Sequence, residues 1–124
     1  MNKIVSYKDL IAWQKSHAVA MKVLNLSIKA KRYDLIYEIW RQIIRSVFSV
    51  PANICEGYSG HWGRNFASHL EVARGSASES QYWLLVLMES GEIGKSDYEE
   101  VVNELEEVKR IISSISRSVK AKKT

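Results

Sequence analysis

Residues 49–57 read Ser49-Val50-Pro51-Ala52-Asn53-Ile54-Cys55-Glu56-Gly57, and residues 73–79 read Ala73-Arg74-Gly75-Ser76-Ala77-Ser78-Glu79. Both stretches lie inside segments whose apolar spacing is helical. Proline lacks the N–H that a helix interior needs, and glycine there costs about 1 kcal/mol against alanine. Two helices carrying residues that ordinary helices avoid point to a special close contact. Pro51 leaves the Val47 carbonyl without its helical partner, which predicts a kink over residues 47–51. Gly75 sits among small residues running from Ala73 to Ser80. Small residues let backbones approach, so Gly75 is expected where the second and third helices meet.

From these stretches, four helical blocks extend in both directions. The first runs from about Lys8 to Ala30, and Ser6 with Asp9 forms a capping box before it. Leu10, Trp13, His17, Met21, Leu24 and Ile28 recur at helical spacing, and Ala12, Val19, Val23 and Leu26 broaden that face. The second block follows Asp34, an N-cap candidate, and continues to about Cys55, with Gly57 ending it. It is apolar on most sides, as expected of a helix that is central or touches another subunit. The third spans about Asn65 to Glu89. A turn over Gly91-Glu92-Ile93-Gly94 leads to a fourth, capped by Ser96 or Asp97 and reaching about Val119. No strand, repeat or low-complexity linker is evident. Short connections between four helices predict an all-α fold, an antiparallel up-down-up-down four-helix bundle forming one domain over residues 1–124.

The chain has 124 residues, enough for one modest core, and its 46% hydrophobic and 26% charged residues are those of a globular protein. The lone Cys55 excludes an internal disulfide framework and suits a reducing cytoplasm. The N-terminus has no apolar signal-peptide core, and the longest apolar run, Tyr82 to Met88, is too short to span a bilayer. The expected location is cytoplasmic, with no membrane partner. Charge is uneven: residues 1–64 hold 10 Lys/Arg against 4 Asp/Glu (+6), and residues 65–124 hold 8 against 10 (−2). Such asymmetry fits either an anionic partner or simple solubility.

The catalytic inventory is thin. His17, His61 and His69 are the only histidines, and His17 lies on an apolar stripe. No metal-ligand spacing exists, Cys55 has no evident base, and Gly57, Gly60 and Gly63 form no phosphate loop. No catalytic residue, metal or cofactor is therefore expected, and the chain reads as non-enzymatic. Asn53 and Glu56 face the same way, one turn apart. Glu56, near a helix C-terminus, calls for a cation: Arg64, or Arg41 or Arg45 of a neighbouring subunit. Lys8, Lys15, Lys22 and Lys29 repeat every seven residues and drift only about 20° per step, so they form one basic line, extended by Lys31 and Arg32. Such a line suits a phosphate backbone, and equally a solvated outer face. Trp62 beside Arg64 suits stacking on unpaired bases, and equally the pinning of a loop.

The S-V-P-A-N-I-C-E-G run, Gly63-Arg64 and the A-R-G-S-A-S-E run together resemble the four-helix-bundle family encoded by intervening sequences in bacterial 23S rRNA genes. That family's pattern reads roughly S-I-P-x-N-I-x-E-G, then G-R, then A-x-G-S-x-x-E. The resemblance covers nearly the whole chain, from Leu10-Ile11-Ala12-Trp13-Gln14 to the last helix. It implies that Ser49, Pro51, Asn53, Glu56, Gly57, Gly75, Ser76 and Glu79 form a shared structural motif. It also implies a homopentamer, and an architecture shared with an accessory factor of retroelement reverse transcriptases. RNA or a reverse-transcriptase-type protein is the partner this suggests. The family itself has no settled biochemical role. One departure is visible: the usual Q-[LM]-R-R appears as Gln42-Ile43-Ile44-Arg45, so Ile44 replaces an arginine, and Phe48 adds bulk nearby. Ile44 and Phe48 are accordingly the oligomer-interface candidates. Two functions remain open at this level. One is an oligomer that binds RNA or a ribonucleoprotein through its basic surface. The other is a protein-interaction scaffold with no nucleic acid.

Overall fold

Ser6 and Asp9 do form a capping box, but it closes a short 3-10 turn rather than the first α-helix. The Ser6 hydroxyl accepts from the Lys8 N–H at 3.2 Å, and the Asp9 carboxylate accepts from the Ser6 N–H at 3.0 Å. The turn covers Tyr7–Asp9, Leu10 is extended, and α1 then runs Ile11–Lys29. Three longer helices follow: α2 (Asp34–Gly60), α3 (Arg64–Glu89) and α4 (Lys95–Ala121). This computed structural model describes residues 4–30, 34–60 and 64–121. Lys31, Arg32, His61, Trp62 and the side chains of Asp34 and Arg64, all named above, lie outside the described residues.

Each helix packs on two neighbours. Both α1 and α3 touch α2 and α4, closing a ring around one core. Consecutive helices joined by short connections alternate in direction, giving the expected up-down-up-down bundle. Val19 and Val23 from α1, Ile43 and Ile54 from α2, Phe66, Leu70 and Leu84 from α3, and Leu105 and Ile112 from α4 are almost wholly buried. Burying such side chains contributes about 1.5–3 kcal/mol each, which makes this core the main source of stability.

Several boundaries differ from the sequence reading. The helix α2 runs unbroken through Pro51 and Gly57 to Gly60. Gly57 does not end it. A Cβ at Gly57 would lie 2.6 Å from the Cβ of His69, so the glycine is the point where α2 and α3 converge. Gly75 was expected at that contact, but it is exposed, and a Cβ there would meet nothing within 4 Å. The face of α1 also differs. Its buried line is Ala12, Ser16, Val19, Ala20, Val23 and Ser27, while Met21 and Ile28 of the expected main stripe are exposed. Buried serines are tolerated there because each bonds locally: Ser16 donates to the Trp13 carbonyl at 3.1 Å and Ser27 to the Leu24 carbonyl at 2.8 Å.

The turn after α3 has a Schellman geometry. The Glu92 N–H reaches the Leu87 carbonyl at 2.8 Å and the Gly91 N–H reaches the Met88 carbonyl at 3.0 Å. Gly91 takes φ +82°, which favours glycine at this position. The fourth helix then starts at Lys95, with the Gly94 carbonyl accepting from Tyr98 N–H at 3.0 Å, ahead of the expected Ser96 or Asp97 cap.

Candidate interaction surfaces

The seam between α2 and α3 gathers most of the motif residues. Ser46 and Ser80 hydroxyls share a buried hydrogen bond of 2.8 Å. One turn on, Ser76 donates to the Ser49 hydroxyl at 3.0 Å. The Asn53 amide donates to the Ser49 carbonyl at 2.8 Å, and its oxygen pairs with His69 Nδ1 at 3.0 Å. Glu56 lies 3.8 Å from His69 but is largely exposed. At the other end, the Glu79 carboxylate accepts from Arg45 and, at 3.0 Å, from the Trp83 indole. Small hydroxylated residues are thus used because they bring the helices close and satisfy each other's polar atoms. Gly57 belongs to this seam and Pro51 is buried in α2, whereas Gly75 stands apart from the contact.

The seven-residue lysine line takes a different form from the one its spacing suggests. Lys8 sits on the 3-10 turn, and Lys29 is the last residue of α1. The two middle lysines cross to α4. Lys15 pairs with Glu107 at 2.9 Å, and Lys22 pairs with Glu104 at 2.5 Å and Glu100 at 3.5 Å. The hydrogen bond from Lys15, reinforced by its charge, holds the Glu107 carboxyl below the usual carboxylate range. The Glu104 hydrogen bond outweighs desolvation and raises Lys22. These two lysines therefore spend their charge within the bundle. Glu100, Glu104 and Glu107 were the readable signal: three acids on one face of α4 that mirror the lysine repeat.

A third feature is an open groove of about 360 Å³ between α1 and α2. Leu24, Tyr37, Trp40 and Ile44 make it apolar, with Arg41 and Arg45 on its edge. Arg41 pairs with Glu38 at 3.4 Å, and Arg45 is held by Glu79. Trp40 is only 3% exposed, yet its indole N–H has no acceptor among the described residues. Burying such a donor unpaired costs about 1–3 kcal/mol. Nearby on the same two helices, Leu35 is 81% exposed and Ile28 is 64% exposed. Ile44 and Phe48 are both half-buried, and Ile44 lines the groove while Phe48 does not. Sequence reasoning did not single out Tyr37 or Trp40, because an aromatic at helical spacing reads as core.

Among the described residues, no group of three His, Cys, Asp or Glu side chains could hold a metal ion. His17 stacks on Trp13 with ring centres 4.8 Å apart, on the flank of α1. No helix among the described residues is long and apolar enough to cross a membrane.

The ring of four antiparallel helices, with a serine-rich seam between the second and third, defines a small four-helix-bundle protein. Residues 8–114 match the family described as 23S rRNA-intervening sequence protein, and the chain belongs to that family. A similar solved structure is that of a protein of unknown function from the S23 ribosomal protein family of Bacteroides thetaiotaomicron. It is 28% identical, with 89% of this chain and 98% of that chain covered, at a TM-score of 0.74. No curated protein matches the chain. The family description names no enzymatic activity.

Proposed function

We propose that this protein is a non-enzymatic, self-associating helical scaffold whose copies dock through the groove between α1 and α2. The observation that carries this reading is the Trp40 indole N–H, buried in the wall of an apolar groove without an acceptor among the described residues. A second copy supplies a carbonyl or carboxylate for the indole, which has no acceptor among the described residues, and apolar cover for Leu24 and Ile44. Indole rings with one polar atom are well suited to interface centres for this reason. The exposed Leu35 and Ile28 beside the groove add apolar area that only an assembly would cover. Ile44 in place of the family's arginine makes this an apolar contact rather than a charged one. Five copies is the stoichiometry the family resemblance implies.

An RNA-binding role for the lysine line has less support, since Lys15 and Lys22 are already paired with α4 carboxylates. The test is sedimentation of the intact chain and of Ile44→Glu, which sets a carboxylate in the apolar groove. The intact chain is expected to sediment as a multimer and Ile44→Glu as a smaller species with unchanged helix content.

A further inference from the structure

The side of the ring opposite the α1–α2 groove carries its own feature. Two adjoining hollows of about 330 and 470 Å³ open between α3 and α4, and Arg74 and Lys109 line both. Arg110 and Arg117 line the first, seven residues apart on α4, with Ser113 between them. Gly75 and Ser78 line the second. Glu71 neutralises Arg74 at 2.6 Å, and Glu106 with Gln81 holds Lys109 at 3.2 and 2.9 Å. Arg110 and Arg117 make no ion pair or hydrogen bond among the described residues, and although Arg110 stands in the field of Glu106 and Glu107, both guanidinium groups keep their N–H donors available to an outside anion. Gly75 is the third observation. It weakens α3 and meets nothing inside the protein, so its bare Cα leaves room for something outside to come close to the helix.

We propose that the α3–α4 cleft is a track for the phosphodiester backbone of a nucleic-acid strand, held by Arg110 and Arg117 and passing over Gly75. Guanidinium groups match phosphate oxygens two at a time, and the Ser78 and Ser113 hydroxyls supply further donors. The two arginines lie about 10 Å apart along the helix axis, so they grip separate phosphates rather than one anion. No aromatic ring lines either hollow. Bases therefore have nothing to stack on, and binding follows the backbone without reading sequence. The track is independent of the docking groove, which lies across the ring.

Fluorescence anisotropy of one labelled single-stranded RNA, and of the DNA of the same sequence, tests this across roughly 50–200 mM salt. Both strands are expected to bind alike, with affinity falling steeply as salt rises. Arg110→Gln with Arg117→Gln removes two phosphate contacts, so the slope of log affinity against log salt should shrink by about 1.4. Arg110→Lys with Arg117→Lys keeps the charge and should keep most of the slope, which separates lost contacts from misfolding. Gly75→Gln should weaken binding by blocking the floor. Lys15→Gln with Lys22→Gln should leave the slope unchanged. An unchanged slope in the glutamine pair would overturn the proposal. So would displacement of the strand by millimolar inorganic phosphate at constant ionic strength, or strong preference for RNA over DNA.

Discussion

Gly57 and His69 set the distance between α2 and α3: a side chain of even one carbon at position 57 would stand 2.6 Å from the His69 Cβ. The helices meet there because one of them has no side chain, and His69 is held over the contact by Asn53 at 3.0 Å. Gly57→Ala must push backbone or histidine aside. It is expected to cost about 1–3 kcal/mol by overpacking, read as a lower urea midpoint. Gly75→Ala is the matched control. Its new methyl group meets nothing, so the substitution should raise stability by up to about 1 kcal/mol through helix propensity alone. Equal losses in both variants would refute this assignment of the two glycines.

The buried Ser46–Ser80 pair should behave as a unit. The two hydroxyl hydrogens serve three contacts, the other two being the carbonyls of Ile43 at 3.2 Å from Ser46 and Ser76 at 2.8 Å from Ser80, so one hydroxyl donates across the seam while the other donates within its own helix. Replacing one serine with alanine leaves the other short of a partner, whereas replacing both removes the need. A double-mutant cycle by chemical denaturation is expected to give a coupling of about 0.5–1.5 kcal/mol, the double variant losing less than the two singles together. Simple additivity would show that the pair contributes nothing beyond its separate bonds.

Stability should fall on the acid side. Backbone N–H groups of Val5 and Ser6 lower the Asp9 carboxyl, the Gln81 amide and then Lys109 lower Glu106, and Lys15 lowers Glu107. Each of these groups takes up its proton at lower pH in the folded chain than in the unfolded one. The unfolded chain therefore binds more protons as pH drops. The stabilisation is complete above the ordinary carboxylate values of about 3.9–4.3 and is lost as pH falls through the lower folded values. Lys22 works in the opposite sense: raised by Glu104, it contributes fully below the ordinary lysine value and loses its contribution as pH rises through the folded one. Melting temperature should be flat near neutrality and decline below about pH 4. Lys15→Gln should make the acid decline shallower. An unchanged acid limb in that variant would mean the Lys15–Glu107 pair does not shift the carboxyl.

How much of this could be read from the sequence depended on the kind of signal. Helix number and approximate extent were legible because apolar residues repeat with a 3.6-residue period in four blocks. The core-facing side of α1 was not, because Ser16, Ala20 and Ser27 count as polar or weakly apolar, yet all three are buried, the two serines with their hydroxyls bonded within the helix. The motif residues were recognisable as unusual, but composition cannot say toward which neighbour a glycine points. Gly57 therefore takes the close-contact role expected of Gly75, which lies mid-helix and exposed. The lysine repeat was visible. Its neutralisation depended on which helix lies beside α1, and the ring places the acidic half of α4 there. The Trp40 groove had no sequence signature, since the missing acceptor appears only when every neighbour is in place.

The assembly claim rests on that missing acceptor and is tested most directly by sedimentation equilibrium at micromolar concentration. The chain mass is 14.2 kDa. The account predicts several times that mass, five copies being the expected count, and a shift toward the single-chain mass in Ile44→Glu with melting still cooperative. A single-chain mass for the unaltered protein would contradict it.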